Sequence, residues 1–83
     1  MTIMEGMKFV FERAKEENVC AFVAVKLPGQ ETLECIVNHP EALDNKLAYY
    51  TRAYTEDGVL RTNPEIKIVS VGLIDPEVRR HLG

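Results

Sequence analysis

Seven consecutive apolar residues, Val19-Cys20-Ala21-Phe22-Val23-Ala24-Val25, constrain this chain more than any other feature in it. The run is far shorter than the ~20 residues a membrane-spanning helix needs. It is rich in residues that favour strands, and it lacks the alternation of a strand with one wet face. Residues 19–27 therefore read as a strand covered on both faces, with a neighbour on either side. Whatever the rest of the chain does, it has to surround this segment.

The flanking segments supply the partners. Residues 2–17 read as a helix, with Ile3, Met7, Val10, Phe11 and Ala14 on one stripe. Thr2 and Glu5 stand at capping-box spacing, and Asn18 suits the C-terminal cap. Phe9 falls off the stripe, among polar neighbours. Pro28-Gly29-Gln30 carries turn chemistry, and a two-residue connection at Pro28-Gly29 would set residue 35 opposite residue 22. Residues 32–37 follow as a second strand, with Leu33, Cys35 and Val37 alternating against Thr32, Glu34 and Ile36, so a hairpin is predicted. Asn38-His39-Pro40 opens a second helix, with the stripe Leu43, Leu47, Tyr50, Tyr54 and a stop at Gly58. Residues 65–74 read as a third strand. Its apolar positions change parity between Ile68 and Val69, which a β-bulge or burial on both faces would each explain. Asp75-Pro76 then begins a short C-terminal helix running to Leu82.

The predicted fold is α+β in the order α-β-β-α-β, one domain over residues 1–83, with the short C-terminal helix appended. Placing the apolar strand in the middle gives a three-stranded split βαβ sheet of order 2-1-3, with both main helices on one face. A domain of 83 residues buries only roughly 60–65% of the surface of its unfolded chain. Two helices cover one sheet face, so the other is predicted to expose apolar side chains. A homodimer, stacked through that face or joined along an edge strand, is the expected remedy.

Charge and cysteine usage narrow the function. Asp and Glu outnumber Lys and Arg by 13 to 10, giving a net charge of −3. Phosphate contacts need a basic excess, so nucleic-acid binding is not expected. Cys20 and Cys35 lie in apolar surroundings without a C-x-x-C spacing, and are expected to be buried, reduced thiols. The first residues lack the basic start and long apolar core of a secretory signal, and a cytoplasmic location is expected.

Catalytic patterns are missing. There is no phosphate-binding glycine loop and no His-Glu-x-x-His segment. The only serine, Ser70, stands inside a predicted strand. Cys35 lies about 13 Å from His39 along an extended strand, too far for a thiol–imidazole pair. The acidic pairs Glu16–Glu17 and Glu56–Asp57 sit at predicted helix ends, in water, where nothing tunes a carboxyl for proton transfer. The chain is thus read as a non-enzyme without metal or cofactor.

Binding residues are easier to nominate. Tyr49 stands about 100° round the second helix from Tyr50, on the side of Asn45 and Arg52. Tyr and Arg are enriched at binding hot spots. Arg61 and Asn63, in the loop that follows, extend this candidate site. Arg79, Arg80 and His81 form a second basic patch able to hold an anion. Two readings follow. One is an interaction module that docks on a protein partner. The other is an oligomeric protein that sequesters a nucleotide-like ligand, with Tyr49, Arg52 and Arg61 stacking on the base and pairing with phosphate.

The compact α-β-β-α-β layout, the run Asn45-Lys46-Leu47-Ala48-Tyr49-Tyr50 and the stretch Thr62-Asn63-Pro64-Glu65-Ile66-Lys67-Ile68 resemble the small acidic accessory proteins of phages and prophages of low-GC bacteria. That resemblance implies a protein that binds and inhibits a host protein, a defence component among them, or that sequesters a small signalling molecule.

Overall fold

The computed structural model describes residues 1–74. Helix α1 spans Ile3–Glu17. The Thr2 hydroxyl accepts the Glu5 N–H while the Glu5 carboxylate accepts the Thr2 N–H, which satisfies two amides the helix cannot. Asn18 ends the helix in the left-handed region, at φ 55°. The strands are β1 (Ala21–Lys26), β2 (Glu34–Asn38) and β3 (Lys67–Leu73). A 3-10 turn, Pro40–Ala42, leads into α2 (Leu43–Ala53), with Pro40 at the start of the turn as expected. Sheet order is β2-β1-β3, with β1 antiparallel to both neighbours, so β2 and β3 run parallel and α2 lies in the connection between them. The predicted α+β arrangement is the one observed. The proposed C-terminal helix lies outside the described residues.

Side-chain alternation sorts β1 into two sets. Ala21, Val23 and Val25 point to the helices and are buried with Met4, Met7, Phe11 and Ala14 of α1 and Leu43 and Tyr50 of α2. Phe22 and Ala24 point to the other side and are outside that core. The change of parity in β3 is a bulge: Ser70 pairs with Ala24 and Ile68 with Val25, leaving Val69 over.

Two expectations need correction. The hairpin turn is not the two-residue Pro28-Gly29 connection. The chain does tighten there, with Gly29 at φ 74° and Gln30 N–H bonded to the Leu27 carbonyl, but pairing resumes only at Glu34. Cys35 consequently lies opposite Ala24 in place of Phe22; both registers put it on the face that neither α1 nor α2 packs against, so it is exposed and not buried as expected, while Cys20 is buried as predicted. The second helix also stops before Gly58. Tyr54 turns extended and pairs with Leu60, and the Arg61 N–H takes the Ala53 carbonyl, closing the helix end. Gly58 instead serves the tight turn that follows, at φ 83°.

Candidate functional site

The nominated residues of α2 are on the surface, over a rigid base. Asn45, Tyr49 and Arg52 are all exposed. The Tyr49 ring meets Tyr50 edge-on, with centroids 5.3 Å apart, and Tyr54 at 6.5 Å. Tyr50 in turn meets Phe11 at 6.1 Å. Such contacts fix an aromatic ring at little entropic cost. Beneath them the Tyr50 hydroxyl donates to Asn38 Oδ1 at 3.5 Å, and Asn38 Nδ2 donates to the carbonyls of Ala21 and Ile36, each at 3.3 Å. Asn38, which reads in sequence as a helix entry, is thus a buried polar post joining β2 to α2. Burial raises the pKa of the Tyr50 phenol, while the Asn38 contact acts in the opposite direction. Burial likewise raises that of Tyr54, with Tyr49 and Glu34 adding to the shift. Glu34, at the start of β2, therefore lies near this tyrosine cluster.

The loop after α2 contributes less than its sequence suggests. Arg61 Nε donates to the Arg52 carbonyl at 3.2 Å, so this guanidinium caps α2. Asn63 is half-buried, and its Oδ1 accepts the Glu65 N–H at 3.2 Å, forming a turn. Asn45, Tyr49 and Arg52 thus remain as a presented stripe, with Arg61 beside it and Asn63 structural. Arg79, Arg80 and His81 lie outside the described residues.

A second surface is the uncovered side of the sheet. Its rows across the strands are Val37–Phe22–Gly72 and Cys35–Ala24–Ser70, in which Cys35, Val37 and Ser70 are exposed, Phe22 and Gly72 half-buried, and the small Ala24 buried between its neighbours. Val37 is 45% exposed, and Leu33 and Val69 at its margins are 48% and 39% exposed. The Phe22 ring lies over Gly72, where a Cβ would come within 2.6 Å of Cε1. Single exposed apolar residues mean little, but a contiguous group on a flat face marks a contact surface.

Sequence reasoning missed one pairing. Cys20 Sγ lies 3.4 Å from His39 Nδ1. The β1–β2 register carried one step past the strands sets residue 20 opposite residue 39, whereas a two-residue turn would have set it opposite Val37. Cys20 itself is 1% exposed.

Other side-chain groupings have structural roles. A groove of about 220 Å³ between α1 and α2 has Phe11, Leu43 and Leu47 at its floor, and the Lys15–Asp44 ion pair, 2.8 Å, joins its walls. Glu17 pairs with Arg13 on its own helix at 2.9 Å. Glu56 accepts a hydrogen bond from the Thr2 hydroxyl. Among the described residues, no three His, Cys, Asp or Glu side chains converge as metal ligands, and no helix is long and apolar enough to cross a membrane. Comparison with protein-family models, with curated proteins and with solved structures finds no match.

Proposed function

We infer that this chain is a non-enzymatic interaction module that docks a partner protein on the uncovered side of its sheet. One observation carries the reading: Phe22, Val37 and Val69 stand in or beside a single sheet face that neither α1 nor α2 covers. The burial of such residues drives protein association, and aromatic anchors near the centre of a patch dominate its energetics. The resemblance in layout to phage accessory proteins makes a host protein, such as a defence component, the first class of partner to test.

The experiment separates this face from the Asn45–Tyr49–Arg52 stripe. Immobilised chain is used to capture proteins from a host lysate, in parallel with Val69→Lys and with Tyr49→Ala/Arg52→Ala. A partner retained by the unaltered chain and by the α2 variant, but lost with Val69→Lys, supports the reading. Loss only with the α2 variant moves the site to that helix. A thermal shift with nucleotides, abolished by the α2 variant, would replace the module reading with ligand sequestration.

A further inference from the structure

The two edges of the sheet are finished differently. The outer side of β3 is occupied where the strand begins: Ile68 N–H donates to the Gly58 carbonyl at 2.7 Å, Leu60 N–H to the Ile66 carbonyl at 2.9 Å, and Val59 bridges Lys67. Lys67 adds a charge, and the bulge at Val69 breaks the regular ladder just beyond. These are the devices by which proteins keep an edge from pairing with another chain. Among the described residues β2 shares only the terminal charge. It pairs with β1 on one side only, without a register shift, and contains neither proline nor a basic residue. Its one charge, Glu34, stands at the end.

The main-chain groups on this edge can be assigned. Ile74 N–H donates to the Cys20 carbonyl, so Cys20, Phe22 and Ala24 turn their main-chain groups toward β3. Ala21, Val23 and Val25 turn theirs toward β2 and meet Asn38, Ile36 and Glu34. By the same alternation Cys35 and Val37 direct their N–H and C=O groups outward, away from the sheet. Both residues are exposed.

We propose that β2 pairs antiparallel with β2 of a second copy about a two-fold axis through Ile36, joining two three-stranded sheets into one of six strands. This register overlaps the whole of β2. It sets Cys35 against Val37 of the second copy, with their outward N–H and C=O groups bonded reciprocally, Ile36 against its equivalent, and Glu34 against Asn38. A two-fold interface must be self-complementary, and this one opposes no like charges. Moving the axis to Glu34 would place two carboxylates face to face. The pairing makes the uncovered faces of the two copies continuous. Stacking those faces on each other is less favoured: three strands of about six residues present roughly 300 Å², against the roughly 800 Å² per partner of a stable interface. Strand addition relies on main-chain hydrogen bonds instead of area.

The inference goes beyond partner docking and is tested on the purified chain alone, so either can fail without the other. Light scattering at micromolar concentration should give twice the chain mass of 9.4 kDa. Cys35→Glu/Val37→Glu sets carboxylates opposite each other at both ends of the pairing and should weaken the dimer about tenfold or more. Cys35→Lys/Val37→Glu sets opposite charges there and should restore it, whereas an axis through Cys35 or Val37 would oppose like charges in both variants. Both positions are exposed, so circular dichroism should show the same fold throughout. Cys35→Ser/Ile36→Cys should form a disulfide-linked dimer on oxidation, because the Ile36 pair is the close, non-hydrogen-bonded one. A monomeric unaltered chain, a dimer indifferent to the acidic pair, or a charge-swapped variant that stays monomeric would each overturn the proposal.

Discussion

The two faces of β1 are built from the same kinds of residue and have opposite surroundings. Ala21, Val23 and Val25 are at most 3% exposed, beneath two helices. Phe22 leans on a glycine, outside the core that α1 and α2 cover. An unbroken apolar strand therefore signals that both faces are apolar, and not that the chain itself covers both. The covered face holds the fold together. The open one is where apolar surface is available for something else.

Substitutions should show that division directly. Phe11→Ala should have the largest effect, a loss of about 3–5 kcal/mol, because the ring is 1% exposed and packs edge-on against Tyr50. Urea unfolding monitored by circular dichroism measures it through the midpoint. Gly58→Ala comes next, at about 1–3 kcal/mol. Gly58 has φ 83°, and an added Cβ would meet Ile3 Cγ2 at 2.9 Å and the Ile68 carbonyl at 3.1 Å. Backbone on the covered side cannot give way. Gly72→Ala has an even closer conflict, 2.6 Å, yet should cost under about 1 kcal/mol. Its obstacle is the far end of the Phe22 ring, a side chain outside the core cluster and freer to turn aside than backbone. A cost for Gly72→Ala equal to that of Gly58→Ala would mean the open face is as tightly held as the covered one.

Alkaline pH probes the covered face by another route. A phenol in the unfolded chain ionises near 10.0, while burial holds the protons of Tyr50 and Tyr54 to higher pH. Above that value the unfolded chain binds fewer protons than the folded one, so stability falls as pH rises. The urea midpoint should decline once pH passes 10, and Tyr50→Phe should make the decline shallower. An identical decline in that variant would assign the effect to other groups.

The sequence carried the element order and the sheet order because the relevant signals are local. Thr2 with Glu5 delimits α1, and Asn18 ends it; the Val19-to-Val25 run could only be central. The spacing of Tyr49 from Tyr50 likewise showed that Tyr49 and Arg52 would be exposed. Register was not legible. Pro28-Gly29 has the chemistry of a two-residue turn, and nothing local reveals that pairing waits until Glu34. That difference of two residues set Cys35 against Ala24 in place of Phe22, on the same face, and brought His39 to Cys20. The buried role of Asn38 and the hydrogen bond from Arg61 to the end of α2 were hidden for a related reason. Each depends on a partner distant in sequence, and a polar residue shortly before a proline, or in a loop, has the same local pattern with or without one.

The smallest expected effect is also the most informative about the open face. Val37→Thr replaces a methyl with a hydroxyl of similar size and keeps a β-branched side chain suited to a strand. Val37 is 45% exposed, and its cross-strand partner Phe22 rests on Gly72. A hydroxyl there keeps its hydration, so the desolvation cost that makes this exchange harmful in a core does not arise. Within the folded chain the change should lie inside about 0.5 kcal/mol, as for surface positions generally. The comparison is Val23→Thr, on the covered face of the same strand, where the side chain is fully buried and the hydroxyl would enter the apolar core cluster. That variant should lose on the order of 1–3 kcal/mol. Urea midpoints measured at a protein concentration low enough to keep the chain monomeric isolate the intrachain term. A Val37→Thr loss approaching that of Val23→Thr would show that the chain itself covers the second face.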